Sequence, residues 1–329
     1  MSRVRVAGFG KRKVLASGWL AGILVAAFLA PTSIPTPDLL HTTQAPFQAG
    51  HWLGTDPQGL DVGVSLLQGS RTVVLSSVPA AILTLLLGAV LGSAAGFWRN
   101  RALTTVARVA VAVLVAGLGL LFLPQLLAFP LLGSMLLVAA GALMYWPLRR
   151  AAWAQRSVAV PLDSLLMGAV NLLDSIPILI LVIGVAAMQR PSATGTIALL
   201  ALTCWTTAAR IMRTTTLQIA ARPYVEAARM VGLTNFQLLR RHIWPNTWPL
   251  LALQLPLTVA ALIGLETTLS FLGVGFSPDI PSWGKLLSTV RQAPTAWWLA
   301  LWPGLALAGT IVSLHSLAGL GANRSDVTK

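Results

Sequence analysis

An all-α protein threaded several times through a membrane is the fold class this sequence predicts, and three observations predict it. Of 329 residues, 56% are hydrophobic, 10% are charged and the mean hydropathy is +0.76, whereas soluble globular domains carry about a quarter charged residues. The apolar residues gather into runs long enough to cross a bilayer as helices, which takes about 20 residues each. The 23 lysines and arginines sit in short gaps between those runs rather than on one soluble face, so the formal charge of +14 does not point to nucleic acid. The single cysteine, Cys204, lies inside an apolar run, so neither a disulfide framework nor a cysteine-rich metal site is available.

Residues 1–30 form a basic N-terminus and a first membrane helix. Arg3, Arg5, Lys11, Arg12 and Lys13 precede the apolar run, which places this end in the cytoplasm. The run is long for the apolar part of a cleaved leader, and Phe28 interrupts a small-x-small site ending at Ala30, so the helix is read as retained. Pro31, Pro35 and Pro37 break it. Residues 31–70 hold no lysine or arginine, as suits an external loop; there Asp56 and Asp61 either cap turns beside Gly54 and Gly59 or serve a substrate or partner. Residues 71–98 are the second span, in which Gly88, Gly92 and Gly96 clear one face for a neighbouring helix.

Residues 99–159 comprise a two-helix hairpin and a basic linker. Its apolar runs, 106–123 and 126–146, are separated by Pro124 and Gln125 and leave the orientation of everything downstream unchanged. Arg149, Arg150 and Arg156 then fall on the cytoplasmic side. The core region, 160–323, opens with a span from about 162 to 188 that contains Asp163 at its cytoplasmic entrance and Asp174 at membrane depth. An acid there needs a partner; Asp174 either locks helices together or touches substrate. Arg190 marks an outer turn, and 194–212 spans back to end at Arg210 and Arg213. A further span, 250–275, carries Glu266, the deepest carboxylate, which either lines a polar passage or holds a structural partner. Trp283 follows in a rigid turn at the headgroup level, Trp297 and Trp298 open the last span, and 324–329 is a cytoplasmic tail. Eight helices with both termini inside result, with Arg71, Arg190, Lys285 and Arg291 as the outer exceptions to the positive-inside rule.

The longest polar stretch between spans is 222–246. Pro223 is tolerated in a first helical turn, Tyr224, Ala227, Ala228 and Val231 then share one face, and Gly232 ends the helix. Thr234 and Asn235 suit the N-cap of a second helix, in which Phe236, Leu239 and Ile243 form a stripe until Pro245 stops it. Such a helix, corner and helix either contacts another protein or lies on lipid headgroups, the latter favoured by Arg222, Arg229, Arg240 and Arg241.

Glu226-Ala227-Ala228, then Gly232, then Ile243-Trp244-Pro245-Asn246 resemble the EAA loop of ABC importer permeases. His51 to Asp56, Gly59 to Asp61, Gly69 to Arg71, Leu172 to Pro177, Leu269 to Gly275 and Pro278 to Gly284 resemble, more narrowly, the C-type permeases of dipeptide, oligopeptide and nickel importers. The likeness covers about 51–98 and 160–323, lapses over the hairpin, and departs where Leu60 and Ser65 stand in place of that family's arginines. It implies a type I ABC importer permease fold, six core helices plus the inserted hairpin, in the inner membrane. It further implies a homologous second permease subunit, two ABC ATPase subunits and an external solute-binding protein as partners, with peptides ahead of nickel or a metal chelate as cargo. Tyr224, Glu226, Ala227, Ala228, Gly232, Pro245 and Asn246 would form the loop that couples to the ATPase.

ATP and magnesium would then belong to the ATPase, with no cofactor in this chain. Consistently, the two Gly-Lys pairs, at Lys11 and Lys285, are followed by Arg12 and Leu286, so there is no P-loop. His41, His51, His242 and His315 form no His-Glu-x-x-His, and no Gly-x-Ser-x-Gly stands out, so metal-dependent and serine hydrolysis lack their motifs. Two other classes stay open: an ion-coupled secondary transporter using Glu266 and Asp174, and a membrane scaffold whose loop recruits a soluble partner.

Overall fold

The computed structural model describes residues 4–32, 36–48, 50–99, 104–106, 157–159, 161–187, 192–277 and 280–327. Its helices are α1 (Val4–Leu29), α2 (Val62–Trp98), α3 (Leu162–Ser175), α4 (Ile178–Ala187), α5 (Ala193–Ala220), α6 (Pro223–Met230), α7 (Asn235–Leu238), α8 (Trp244–Leu272), α9 (Trp283–Ser288) and α10 (Trp298–Val327). One three-residue antiparallel ladder, Thr104–Val106 with Ser157–Ala159, joins the two sides of the hairpin segment. The hairpin's apolar runs, its linker arginines and Arg190 lie outside the described residues. Within them, α2, α5, α10 and the continuous stretch Asn235–Leu272 are long and apolar enough to cross a membrane, and the bent α3–α4 pair would make a fifth span; the apolar run of α1, Lys13–Leu29, is shorter.

The second span begins earlier than hydropathy predicts. Asp61 caps α2, its Oδ1 accepting from the Val64 N–H at 3.0 Å, and a cap outweighs the polarity of the first turns. The resulting helix has 37 residues, about 55 Å at 1.5 Å per residue. Its predicted small-residue face is in use. A Cβ on Gly92 would sit 2.2 Å from the Ala209 carbonyl oxygen, and one on Gly88 2.4 Å from the Ala208 Cβ, so α2 and α5 touch backbone to backbone. Around that seam Val73, Ala80 and Ala81 of α2 meet Leu199 and Leu200 of α5 and Val259, Leu262 and Ile263 of α8. On another side α1 leans on α10, where the Trp19 indole donates to Thr310 Oγ1 at 3.2 Å and lies over Gly309.

Three expectations are corrected. The span expected over 162–188 is two helices bent by 88°, because Pro177 offers no N–H and forces Ile176 into an extended conformation (φ −94, ψ 128). Pro245 stops nothing: it lies in the first turn of α8, where its missing N–H costs no bond, after a π-helical turn at Leu239–Ile243. Trp283 is buried rather than at the surface, since Gly69 leaves room for its ring, and its Nε1 donates to the Leu66 carbonyl at 3.0 Å.

Above the start of α2, residues 36–61 form a cap made of turns. Asp56 Oδ1 accepts from the N–H groups of Gln58 and Leu60, both at 2.8 Å. His51 Nδ1 stands 2.6 Å from Asp61 Oδ2, and the Trp298 indole donates to the Thr55 carbonyl at 3.2 Å. Asp56 and Asp61 thus hold turns and a helix start, the plainer of the two roles open to them.

Candidate functional site

The 222–246 segment rises directly from α5, with Ala221 and Arg222 between the two helices. Pro223 occupies the first turn of α6 with its φ already set. Gly232 turns the chain at φ +94, letting the Leu233 N–H reach the Ala228 carbonyl at 3.3 Å and close the helix end. Thr234 then starts the next helix through a capping box with Gln237. Asn246 Nδ2 donates to the His242 carbonyl at 2.6 Å, bracing the junction with α8.

The two helices stand on an apolar pedestal. Val225, Leu238, Leu239 and Ile243 are buried against Phe97 at the end of α2 and Ile219 at the end of α5, and the Arg229 guanidinium lies 5.9 Å from the Phe97 ring centre. The face opposite is apolar and uncovered. Met230 is 85% and Val231 81% exposed, with Tyr224, Ala227 and Phe236 exposed beside them and Ala228 half-buried. Glu226 is exposed on α6, while Pro245 and Asn246 are exposed at the foot of α8. The predicted set is therefore brought together along one continuous segment, although Phe236 leaves the stripe expected with Leu239 and Ile243 and joins the open side. Met230 was not among the predicted residues; its place beside Gly232, at the corner, was the available signal.

The two predicted acids lie elsewhere and apart. Asp174, at the end of α3, pairs with Arg210 of α5 at 2.5 Å, while Arg210 Nη2 also donates to Asn171 Oδ1 at 3.1 Å. At the other end of α3, Asp163 receives both Nε and Nη2 of Arg213. Glu266 is fully buried inside the chain's own bundle, accepting from the Ser270 hydroxyl at 2.8 Å, and its Oε2 has no hydrogen-bond partner among the described residues. It therefore faces no open surface of this chain. Among the described residues no three His, Cys, Asp or Glu side chains gather as a metal site.

A bundle of long apolar helices, with one helix–corner–helix standing free of it on a buried base, is the build of a multi-pass membrane permease subunit. The chain belongs to the family of binding-protein-dependent transport system inner membrane components, whose model matches residues 150–324. It is similar to a protein of Brucella suis provisionally named a peptide transport system permease, with 27% identity over 297 residues, 89% of this chain and 80% of that one. The dipeptide transport system permease protein of Bacillus subtilis is 26% identical over 298 residues, 89% of this chain and 73% of its own. A probable peptide ABC transporter permease of Sinorhizobium fredii reaches 35% over 156 residues, 47% of this chain and 54% of that one. The chain is thus the permease subunit of an ABC importer and a transport component rather than an enzyme, and its family works with an ATPase and a solute-binding protein.

Proposed function

We propose that residues 222–246 are the surface on which a cytoplasmic ATPase seats, and that the chain forms half of a translocation path for peptides. The observation that carries this reading is the uncovered apolar side of α6, around Met230 and Val231, on a base that is itself fully packed. A membrane-surface helix would be favoured by the same arginines; the segment is instead seated by its inner side on the ends of α2 and α5, which supports a fixed platform for a protein partner. Glu226 offers a charged contact at the rim, and Ala227 and Ala228 let a second backbone come close.

In this reading both termini and the 222–246 loop are cytoplasmic and the 36–61 cap is external. A homologous second permease completes the path, two ATPases bind ATP and magnesium, and closure of the ATPases pulls on the loop to turn the bundle from inward- to outward-facing. The relatives are named for peptide or dipeptide transport, which supports a peptide as the cargo class. The test is Met230→Asp: co-purification with the ATPase should fall about tenfold or more, as for a residue central to an interface, while the thermal midpoint of the isolated chain stays put. Unchanged co-purification would remove the loop from the interface, and uptake of a labelled dipeptide into liposomes carrying the whole complex would test the cargo.

A further inference from the structure

Helix α3 is fastened to α5 in an unusual way. Apart from Val170 none of its residues is buried, and Leu165 and Leu172 are exposed. The helix also rests on α2, and what fastens it to α5 is chiefly charge: Arg213 with Asp163 at the start of α3, and Arg210 with Asp174 at its end. The two acids are three helical turns apart, about 16 Å, whereas the two arginines are neighbours on one face of α5, about 5 Å apart. Their side chains therefore splay in opposite directions, and α3 is laid across α5.

The two fastenings differ in kind. Arg213 grips Asp163 with two nitrogens on two oxygens, the second pair at 2.6 Å, and the side chains are 29% and 16% exposed. Arg210 meets Asp174 through Nη2, the same nitrogen that donates to Asn171, and the side chains are 48% and 38% exposed. A two-pronged, shielded pair is strong; a shared, half-exposed one is weak and screened by salt. The weak pair stands three residues before Pro177, where the chain turns by 88° into α4. Helix α4 has 10 residues, about 15 Å, half the thickness of the hydrocarbon layer.

We propose that Arg210 and Asp174 form a releasable latch, that Arg213 and Asp163 form the pivot beside it, and that opening the latch frees the end of α3 to move against α4, whose Val182 stays packed in the core, during transport. The arginines ride on α5, which is joined to α6 by Ala221 and Arg222 alone, so a pull on the 222–246 segment reaches them through a two-residue connection. This rests on that segment being the ATPase's seat. The latch holds the bend in its resting geometry, and its weakness is what lets a modest displacement of α5 undo it.

The experiment uses the complete complex in liposomes. Asp174→Asn and Arg210→Gln should each raise ATP hydrolysis in the absence of cargo about two- to fivefold, the range an exposed ion pair supports, with the ATPase still co-purifying. The charge exchange Asp174→Arg with Arg210→Asp should bring hydrolysis back toward the parent rate. In a Cys204→Ser background, a cysteine pair at 174 and 210 should cross-link readily without nucleotide and more slowly in the complex trapped with ATP and vanadate. Asp163→Asn should instead lower the yield of inserted chain. Unchanged hydrolysis in the single variants, no rescue by the exchange, equal cross-linking in both states, or an Asp163→Asn that behaves like Asp174→Asn would each overturn the proposal. Failure of the parent chain to hold the ATPase would instead overturn the seat, and the latch with it.

Discussion

The cap at 36–61 and the loop at 222–246 are two polar regions among the described residues, and they are built on different plans. In the cap, side chains turn inward to hold backbone: Asp56 takes two N–H groups, Asp61 caps α2, and Trp298 reaches in from α10 to the Thr55 carbonyl. In the loop Pro223, Gly232 and the local capping box shape the chain, and its base is packed on the ends of α2 and α5. Both regions leave large apolar side chains uncovered, Leu40, Phe47 and Trp52 in the cap and Met230 and Val231 in the loop; the difference is that the cap is tied down by side chains, one of them from the far end of the chain, and the loop by its own helix punctuation.

A matched pair of glycines tests that contrast most sharply. Gly59 and Gly232 both take positive φ, +79 and +94, yet a Cβ on Gly59 would lie 2.2 Å from the Asp38 carbonyl oxygen while one on Gly232 meets nothing within 4 Å. Gly59→Ala should therefore combine left-handed strain with a backbone clash and cost more than about 2 kcal/mol. Gly232→Ala should cost the strain alone, about 1 kcal/mol. Chemical denaturation of the detergent-solubilised chain measures both, and equal costs would break the comparison.

A smaller effect comes from Trp298→Phe, which removes the indole donor to the cap but keeps most of the ring. About 1 kcal/mol of stability should go with that hydrogen bond, and protease cleavage within 36–61 should quicken while cleavage in the loop does not. Similar acceleration at both places would mean that the cap is not held separately.

The smallest effect is a pH slope. Burial pushes the Asp56 carboxyl above its ordinary value of 3.8, against the opposing pull of the Leu60 and Gln58 N–H groups and the charge of Lys285. An acid whose folded value is raised binds its proton more readily when folded, so this group adds stability as pH falls from neutrality through the raised value and levels off near 3.8. Asp38 works the other way: the His41 hydrogen bond holds it below 3.8, so its contribution is present above that value and is lost on further acidification. Thermal midpoints between pH 7 and 4 should rise slightly, and Asp56→Asn should flatten that rise; a flat parent profile would contradict it.

Much of the architecture was legible in the sequence because hydropathy and helix punctuation act locally. The glycine spacing at 88, 92 and 96 announced a close helix contact, and Gly232 and Thr234 announced a corner and a cap without any knowledge of neighbours. What stayed hidden depended on partners distant in the chain. Residues 162–188 read as one span, but an 88° break needs α3 to find support away from the bundle's core, which the side of α2 and Arg210 and Arg213 supply. Those arginines were read as charges marking the end of a span; their spacing of three gave no sign of what they would reach. Trp283 reads as a headgroup tryptophan from its own turn, because the space that buries it is made by Gly69, more than 200 residues earlier. Pro245 was misread because proline is compatible with both the stop and the first turn of a helix, and the π-helical turn before it decides between them.

Helix α2 begins in the cap, at Asp61, and ends in the pedestal, at Phe97. The cap and the loop are therefore tied to opposite ends of one helix, which is packed along its glycine seam against the very helix that bears the loop. A displacement imposed on one has a continuous path to the other along that helix, as the far end of an oar answers the hand.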